Sequence, residues 1–285
     1  MAALITKNEN QTVHTIHLHM RTRSLIHLHV VITLFAISSC AKHEGCMDPI
    51  ALNYDPEAEV EGTCNYGETT YPMEMHIHQY LNGSSLTEEQ MYTINGVHTN
   101  INLVQFYVSG ITLVNAEGES FSSDTYLLVK PETEAYAIGD FPPGEYTKVI
   151  FNIGVDSLTN HADPSQYALG DPLGAQSPTM HWGWSFGYIF IRIDGEVDTN
   201  ADGVPDPAGY FEMHAGEDRY LARVEVDMPV TVGEGAENIV HMAADWDVFF
   251  SGVDMVNDNT VHGADNITLA NALYDNTLMM FSPED

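Results

Sequence analysis

From Tyr71 onward, apolar and polar residues alternate in short runs bounded by Gly, Asn, Asp and Pro. This is the pattern of half-buried strands divided by turns. It predicts strands at 73–80, 101–115, 124–130, 145–154, 184–194, 209–215, 219–232 and 238–250. Only 266–280 has helical spacing. Eight strands and one terminal helix predict an all-β domain, a β-sandwich or partly closed barrel with a C-terminal helix. The cleanest alternation is MEMHIHQY, 73–80, where Met73, Met75 and Ile77 share one face and Glu74, His76, His78 and Tyr80 the other. Histidines at i and i+2 of a strand stand about 7 Å apart at Cα, so both imidazoles can reach one ion. Taken alone, His-x-His is equally what two exposed polar positions look like.

Ahead of this domain the pattern changes. Residues 25–40, LIHLHVVITLFAISSC, form an apolar run of signal-peptide length behind Arg21 and Arg23, too short to be preferred as a membrane span. Ile37-Ser38-Ser39-Cys40 looks like a bacterial lipobox, which predicts cleavage before Cys40 and lipidation of that cysteine. Met20 is a candidate true start. The expected organisation is a lipoprotein signal over 1–39, a lipidated N-terminus with a small module over 40–70, and a β domain over 71–285. The lipid would tie the protein to the outer membrane, on its periplasmic face or at the cell surface.

The chain has 285 residues and a formal charge of −32, which becomes −34 once residues 1–39 are removed. Such a surface repels phosphate and argues against nucleic acid as a partner. With Cys40 lipidated, Cys46 and Cys64 remain of three cysteines, an even pair suited to a disulfide in an oxidising compartment. They bracket GCMDPIALNYDPEAEVEGTCNYG, 45–67, which resembles a short cysteine-paired module of bacterial surface proteins, here in one copy. Its expected role is a stiff spacer between lipid and domain.

One further site is legible from spacing. DTNADGVPD, 198–206, places Asp198, Asn200, Asp202 and Asp206 around Gly203 at the intervals of a calcium loop, with alternate oxygen-bearing side chains wrapping a hard cation. A complete EF-hand would put glutamate where Gly209 stands. The loop therefore looks more like the aspartate-rich calcium loops of extracellular repeat proteins, or like an ion-free hairpin. There is no Gly-x-Ser-x-Gly elbow, phosphate loop or His-Glu-x-x-His motif, so a binding protein is expected rather than an enzyme.

Six blocks, in order, carry a resemblance to a known family. They are His78 with Asn82-Gly83, LVQFYVS at 103–109, FPPGEYTKVIFNIGVD at 141–156, HWGWSFGYIFIRIDG at 181–195, FEMHAG at 211–216 and DNTLMMF at 275–281. The chain resembles the copper-binding MbnP-like family, which includes the methanobactin-associated periplasmic protein and copper-repressible surface proteins of methane-oxidising bacteria. That resemblance implies copper held by histidines together with a kynurenine made by oxidising a tryptophan. A partner resembling the dihaem tryptophan-modifying peroxidases would perform the oxidation. Indole itself has an N–H donor and no available lone pair. Trp182 and Trp184 are the candidates; Trp246 reads as core. The implied ligands are His78 and His214, helped by His76 or His181. His98, His161, His241 and His262 read as surface or structural histidines, with His262 the first to promote. The expected function is extracytoplasmic copper capture or handling. The alternative is a calcium-stabilised surface adhesion or ligand-binding sandwich.

Overall fold

The structure, a computed structural model, describes residues 42–49, 51–65, 67, 69–183, 186–263 and 265–284. The expected signal and lipidation at Cys40 lie outside them, as does Trp184. The chain divides into two compact units, 1–66 and 67–285.

In the first unit, β1 (Glu44–Gly45) runs parallel to β2 (Val60–Glu61). A disulfide joins Cys46 to Cys64 across a Cα–Cα distance of 4.8 Å. Closing a loop of this length gains on the order of 3 kcal/mol in the chain-entropy model, which offsets the lack of a core. His43 and Asp55 pair across the loop, Nε2 to Oδ2 at 2.5 Å.

The second unit contains β3 (Tyr71–Leu81), β4 (Ser84–Ser85), β5 (Gln90–Ile94), β6 (Val97–Asn115), β7 (Ser120–Ser122), β8 (Leu127–Val129), β9 (Ala135–Phe141) and β10 (Gly144–Ile153). After helix α1 (Ser157–Asn160) come β11 (Ile189–Val197), β12 (Tyr210–Gly216), β13 (Ala222–Val232) and β14 (Ile239–Asp245). Helix α2 (Trp246–Phe249), β15 (Val261–His262), helix α3 (Ile267–Thr277) and β16 (Phe281–Pro283) complete it. The long strand β6 is the spine of one sheet, ordered β13-β10-β6-β11-β12-β15, and also pairs with β5, β7 and β8. A second sheet is ordered β16-β14-β3-β4, with β9 on β3. Met75, Ile77, Val240 and Met242 of the second sheet pack with Phe106, Phe151, Ile193 and Met213 of the first in one buried cluster. The domain is an all-β sandwich with a C-terminal helix, as the patterning predicts.

Where element bounds differ from those predicted, local hydrogen bonds give the reason. The strand expected at 184–194 begins only at Ile189, because the chain first turns back on itself. Trp182 N–H donates to the Gly187 carbonyl at 2.9 Å, and Gly187 N–H to the Gly183 carbonyl at 2.9 Å. The run expected through 250 stops at Asp245, whose carboxylate accepts Asp247 N–H at 2.9 Å and starts α2. Trp246 is fully buried and donates its indole N–H to Gln79 at 3.0 Å. Helix α3 starts after Asn266, whose side chain accepts Leu269 N–H at 3.2 Å.

A smaller cluster lies away from the main core. Tyr107, Val155, Leu173, Met180, Tyr188 and Phe190 pack together, with Trp182 against them. It holds residues 155–183 and 186–188 against the larger sheet, whose β6 and β11 supply Tyr107 and Phe190. Asn160 ties that segment down: its Oδ1 accepts Tyr188 N–H at 2.7 Å and its Nδ2 donates to Asp218 at 2.8 Å. Gly187 stands beside it at φ +77°, where an added Cβ would lie 2.3 Å from Asn160 Oδ1, so only glycine fits. Asn160→Ala leaves a buried N–H unpaired and is expected to cost about 1–3 kcal/mol in urea unfolding, with loss of near-ultraviolet aromatic circular dichroism. A change below about 0.5 kcal/mol, the size of a neutral surface effect, would show that the segment is held by other contacts.

Candidate metal centre

Strand β12 sends Phe211, Met213 and Ala215 into the main core, so Glu212 and His214 face the other way. β15 lies parallel to β12 with His214 and His262 in register. Their rings stand 5.0 Å apart at the centroids, nearly perpendicular. Glu212 Oε2 lies 2.8 Å from His262 Nε2. Ligand atoms of Glu212, His214 and His262 all fall within 4.8 Å of one another, the one such group among the described residues.

His214 is buried and oriented from behind. Its Nε2 lies 2.6 Å from Asp194 Oδ1, while Arg192 holds the other carboxylate oxygen through Nε at 2.9 Å and Nη2 at 2.7 Å. Burial raises the Asp194 pKa, but hydrogen bonds from His214 and Arg192 outweigh it and hold the carboxyl below its ordinary value. An ionised Asp194 takes the Nε2 proton and leaves His214 Nδ1 as the free lone pair. This is the carboxylate–histidine arrangement that orients metal-binding imidazoles. Tyr210 donates to Glu212 Oε1 at 3.2 Å; burial foremost, with help from Asp194 and Glu212, pushes its pKa up to about 12.

Trp182 covers this group. Its ring lies 6.5 Å from His214 at the centroids and rests on Gly216, where an added Cβ would come within 2.6 Å of Trp182 Cζ3. Beside it opens a cavity of about 540 Å³ lined by Trp182, Phe186, Glu217, His262, Gly263 and Asp265.

A family model named MbnP matches residues 70–266. The chain belongs to the MbnP family. Its structure is similar to that of MbnP from Methylosinus trichosporium, with TM-score 0.50 and 18% identity over 68% of this chain and 83% of that one. At that identity the likeness speaks for the fold. No curated protein sequence matches the chain.

The residues expected to converge in this MbnP family member separate into three places. His214 and Trp182 come together. His76 and His78 do not join them, because Met75 and Ile77 between them fill the core from the opposite sheet, which turns both imidazoles to the outer face of β3. The expectation of one site holding His78 and His214 is corrected accordingly. His181 is also absent from the ligand group: its Nδ1 accepts Gly183 N–H at 2.9 Å and its ring packs edge-on to Tyr188 at 4.7 Å. Burial depresses its pKa. Asp198, Asn200, Asp202 and Asp206 do share one loop. Asp198 accepts N–H bonds from Asp202 at 3.2 Å and Gly203 at 2.7 Å, and Asp206 accepts from Thr199 at 3.0 Å.

Glu212 and Asp194 escaped the sequence reading, and His262 entered it only as the first of the surface or structural histidines to promote. Glu212 was recoverable, since it sits at i−2 from His214 in a strand and must share its face. Asp194 carried no local signal; only the pairing of Arg192 with His214 across β11 and β12 puts its carboxylate there. Asp194→Ala would leave Arg192 and His214 buried without their anion, and is expected to cost about 3–5 kcal/mol in metal-free protein. A denaturation midpoint close to wild type would show that the carboxylate is dispensable.

Proposed function

We propose that the protein is an extracytoplasmic copper-binding protein, acting in copper capture or handling rather than catalysis. The observation that carries this reading is the convergence of Glu212, His214 and His262 within 4.8 Å beneath Trp182. Imidazole nitrogen suits copper, and copper(II) tops the affinity order of divalent ions at such donors. Membership of the MbnP family, which the sequence resemblance associates with copper, supports the same ion. The Cys46–Cys64 disulfide agrees with export, and the lipobox-like Ile37 to Cys40 with a lipid anchor on the outer membrane.

Within this reading, His214 Nδ1, His262 and Glu212 are the ligands and Trp182 is the tryptophan to be oxidised. Kynurenine at 182 would add an aryl amine and a ketone next to His214, and the neighbouring cavity gives a modifying dihaem peroxidase an approach. His214→Ala and His262→Ala should each weaken copper(II) binding at least tenfold, about 1.4 kcal/mol, in competition with a chromophoric chelator. Both variants within about 0.5 kcal/mol of wild type would sink the site. Protein from its native host should carry the kynurenine mass change on the peptide containing Trp182, and protein from a host without the peroxidase should not.

The 198–206 loop is proposed as a structural calcium site. Calcium bound only by the native state raises the melting temperature by mass action, so melting should rise with calcium and fall with chelator in wild type but not in Asp202→Ala. A curve indifferent to both would remove calcium from the reading. A second reading, a calcium-stabilised adhesion or ligand-binding sandwich, draws on the exposed Phe186, 58% accessible, at the mouth of the cavity with Trp182. It takes the lead if copper affinity is unaffected by the histidine variants.

A further inference from the structure

The outer face of the smaller sheet repeats the construction of the candidate metal centre. There β14 runs parallel to β3 with His241 in register with His76, as β15 runs parallel to β12 with His262 in register with His214. The ring centroids of His76 and His241 stand 5.1 Å apart at an interplanar angle of 82°, against 5.0 Å and 88° for His214 and His262. A glutamate precedes the first histidine by two residues in each case. Glu74 lies with its Oε2 3.1 Å from His76 Nε2, in the position that Glu212 has relative to His214. The smaller sheet adds a third imidazole, His78, with its ring 6.5 Å from that of His76.

A carboxylate bonded to one of the histidines also recurs, here partly exposed. The C-terminal strand β16 leads Glu284 to this face, where its N–H donates to the His241 carbonyl at 3.1 Å. Its side chain bonds His78 Nδ1 and Tyr80 Oη. The bond to Glu284 occupies Nδ1 of His78, and its Nε2 lies 3.7 Å from Glu134 Oε2; a carboxylate thus holds the histidine from one side, as Asp194 holds His214.

We propose that His76, His78 and His241, with Glu74 or Glu284, form a second site for a borderline divalent metal ion, copper(II) or zinc(II), on the opposite outer face of the sandwich from the first. Three imidazoles and a carboxylate suit either ion. Closing the site takes rotation of the partly exposed His78 side chain away from its bond to Glu284. The ladder spacing does the rest, since register partners on one face keep His76 and His241 within reach of a common ion. The inference stands apart from copper at His214: either site can exist without the other.

The test is residue-level footprinting of untagged full-length protein. Histidine modification by diethyl pyrocarbonate is read by mass spectrometry with and without saturating copper(II) or zinc(II), in wild type and in His214→Ala/His262→Ala. The proposal expects His76, His78 and His241 to be protected at least fivefold in both proteins, and that protection to be lost at His76 and His78 in His241→Ala. Comparing the two ions says which one the face prefers. The three histidines are partly exposed, so the substitution should leave circular dichroism unchanged, and wild-type footprints serve if it does not. Equal modification with and without metal in the wild type overturns the site. So does protection that disappears in His214→Ala/His262→Ala, which would trace it to the first centre. Absence of copper protection at His214 and His262 in the wild type, with protection intact here, would count against the proposed function and leave this inference standing.

Discussion

The buried carboxylate of Asp194 is the contact on which the candidate metal centre depends. A charge removed from water costs several kcal/mol unless its lone pairs are taken up. Here Arg192 takes one oxygen and His214 the other. β11 lies between β6 and β12, this carboxylate is buried, and the bonds from both partners favour its charged form. The same bond that satisfies Asp194 decides which nitrogen of His214 is free. Stability of the sheet and readiness of the ligand are therefore one electrostatic arrangement.

The second constraint is the period of two along a strand. His214 alternates with Met213 and Ala215, and His76 with Met75 and Ile77, so burying the methionines forces both histidines outward on opposite sheets. In each case a parallel neighbour supplies a further histidine in register. Parallel pairing brings together residues far apart in sequence: His262 beside His214, His241 beside His76. A slip of one residue in either ladder would turn the imidazole into the core.

The third element is the segment that closes over the larger sheet. Residues 155–183 and 186–188 pack in a small apolar cluster shared with Tyr107 of β6 and Phe190 of β11, anchored by Asn160 and tied by the bonds of Trp182 and Gly183 to Gly187. Gly216 gives the Trp182 ring room to lie against β12. Trp182 lies over the metal group, while His181 uses Nδ1 on the turn and packs edge-on to Tyr188, its Nε2 buried without a hydrogen-bond partner.

Eight of the strands, the C-terminal helix, the core role of Trp246 and the outward face of Glu74, His76 and His78 were legible in the sequence, because period-two alternation and capping residues are local properties of the chain; β5 and β9, which pair with β6 and β3, and the short β4, β7, β15 and β16 were not. The family too was legible, since its blocks are contiguous. What the sequence could not decide was which outward faces meet. His78 and His214 read alike as strand histidines, yet they sit on different sheets. His262 read as a surface or structural histidine, the first to promote, and it stands beside His214, whereas Asp194 gave no signal at all. Those relations depend on strand order and on register between segments about fifty or more residues apart, such as β12 with β15 and β3 with β14. Burial of the two apolar faces against each other settles them only when the whole sandwich is assembled.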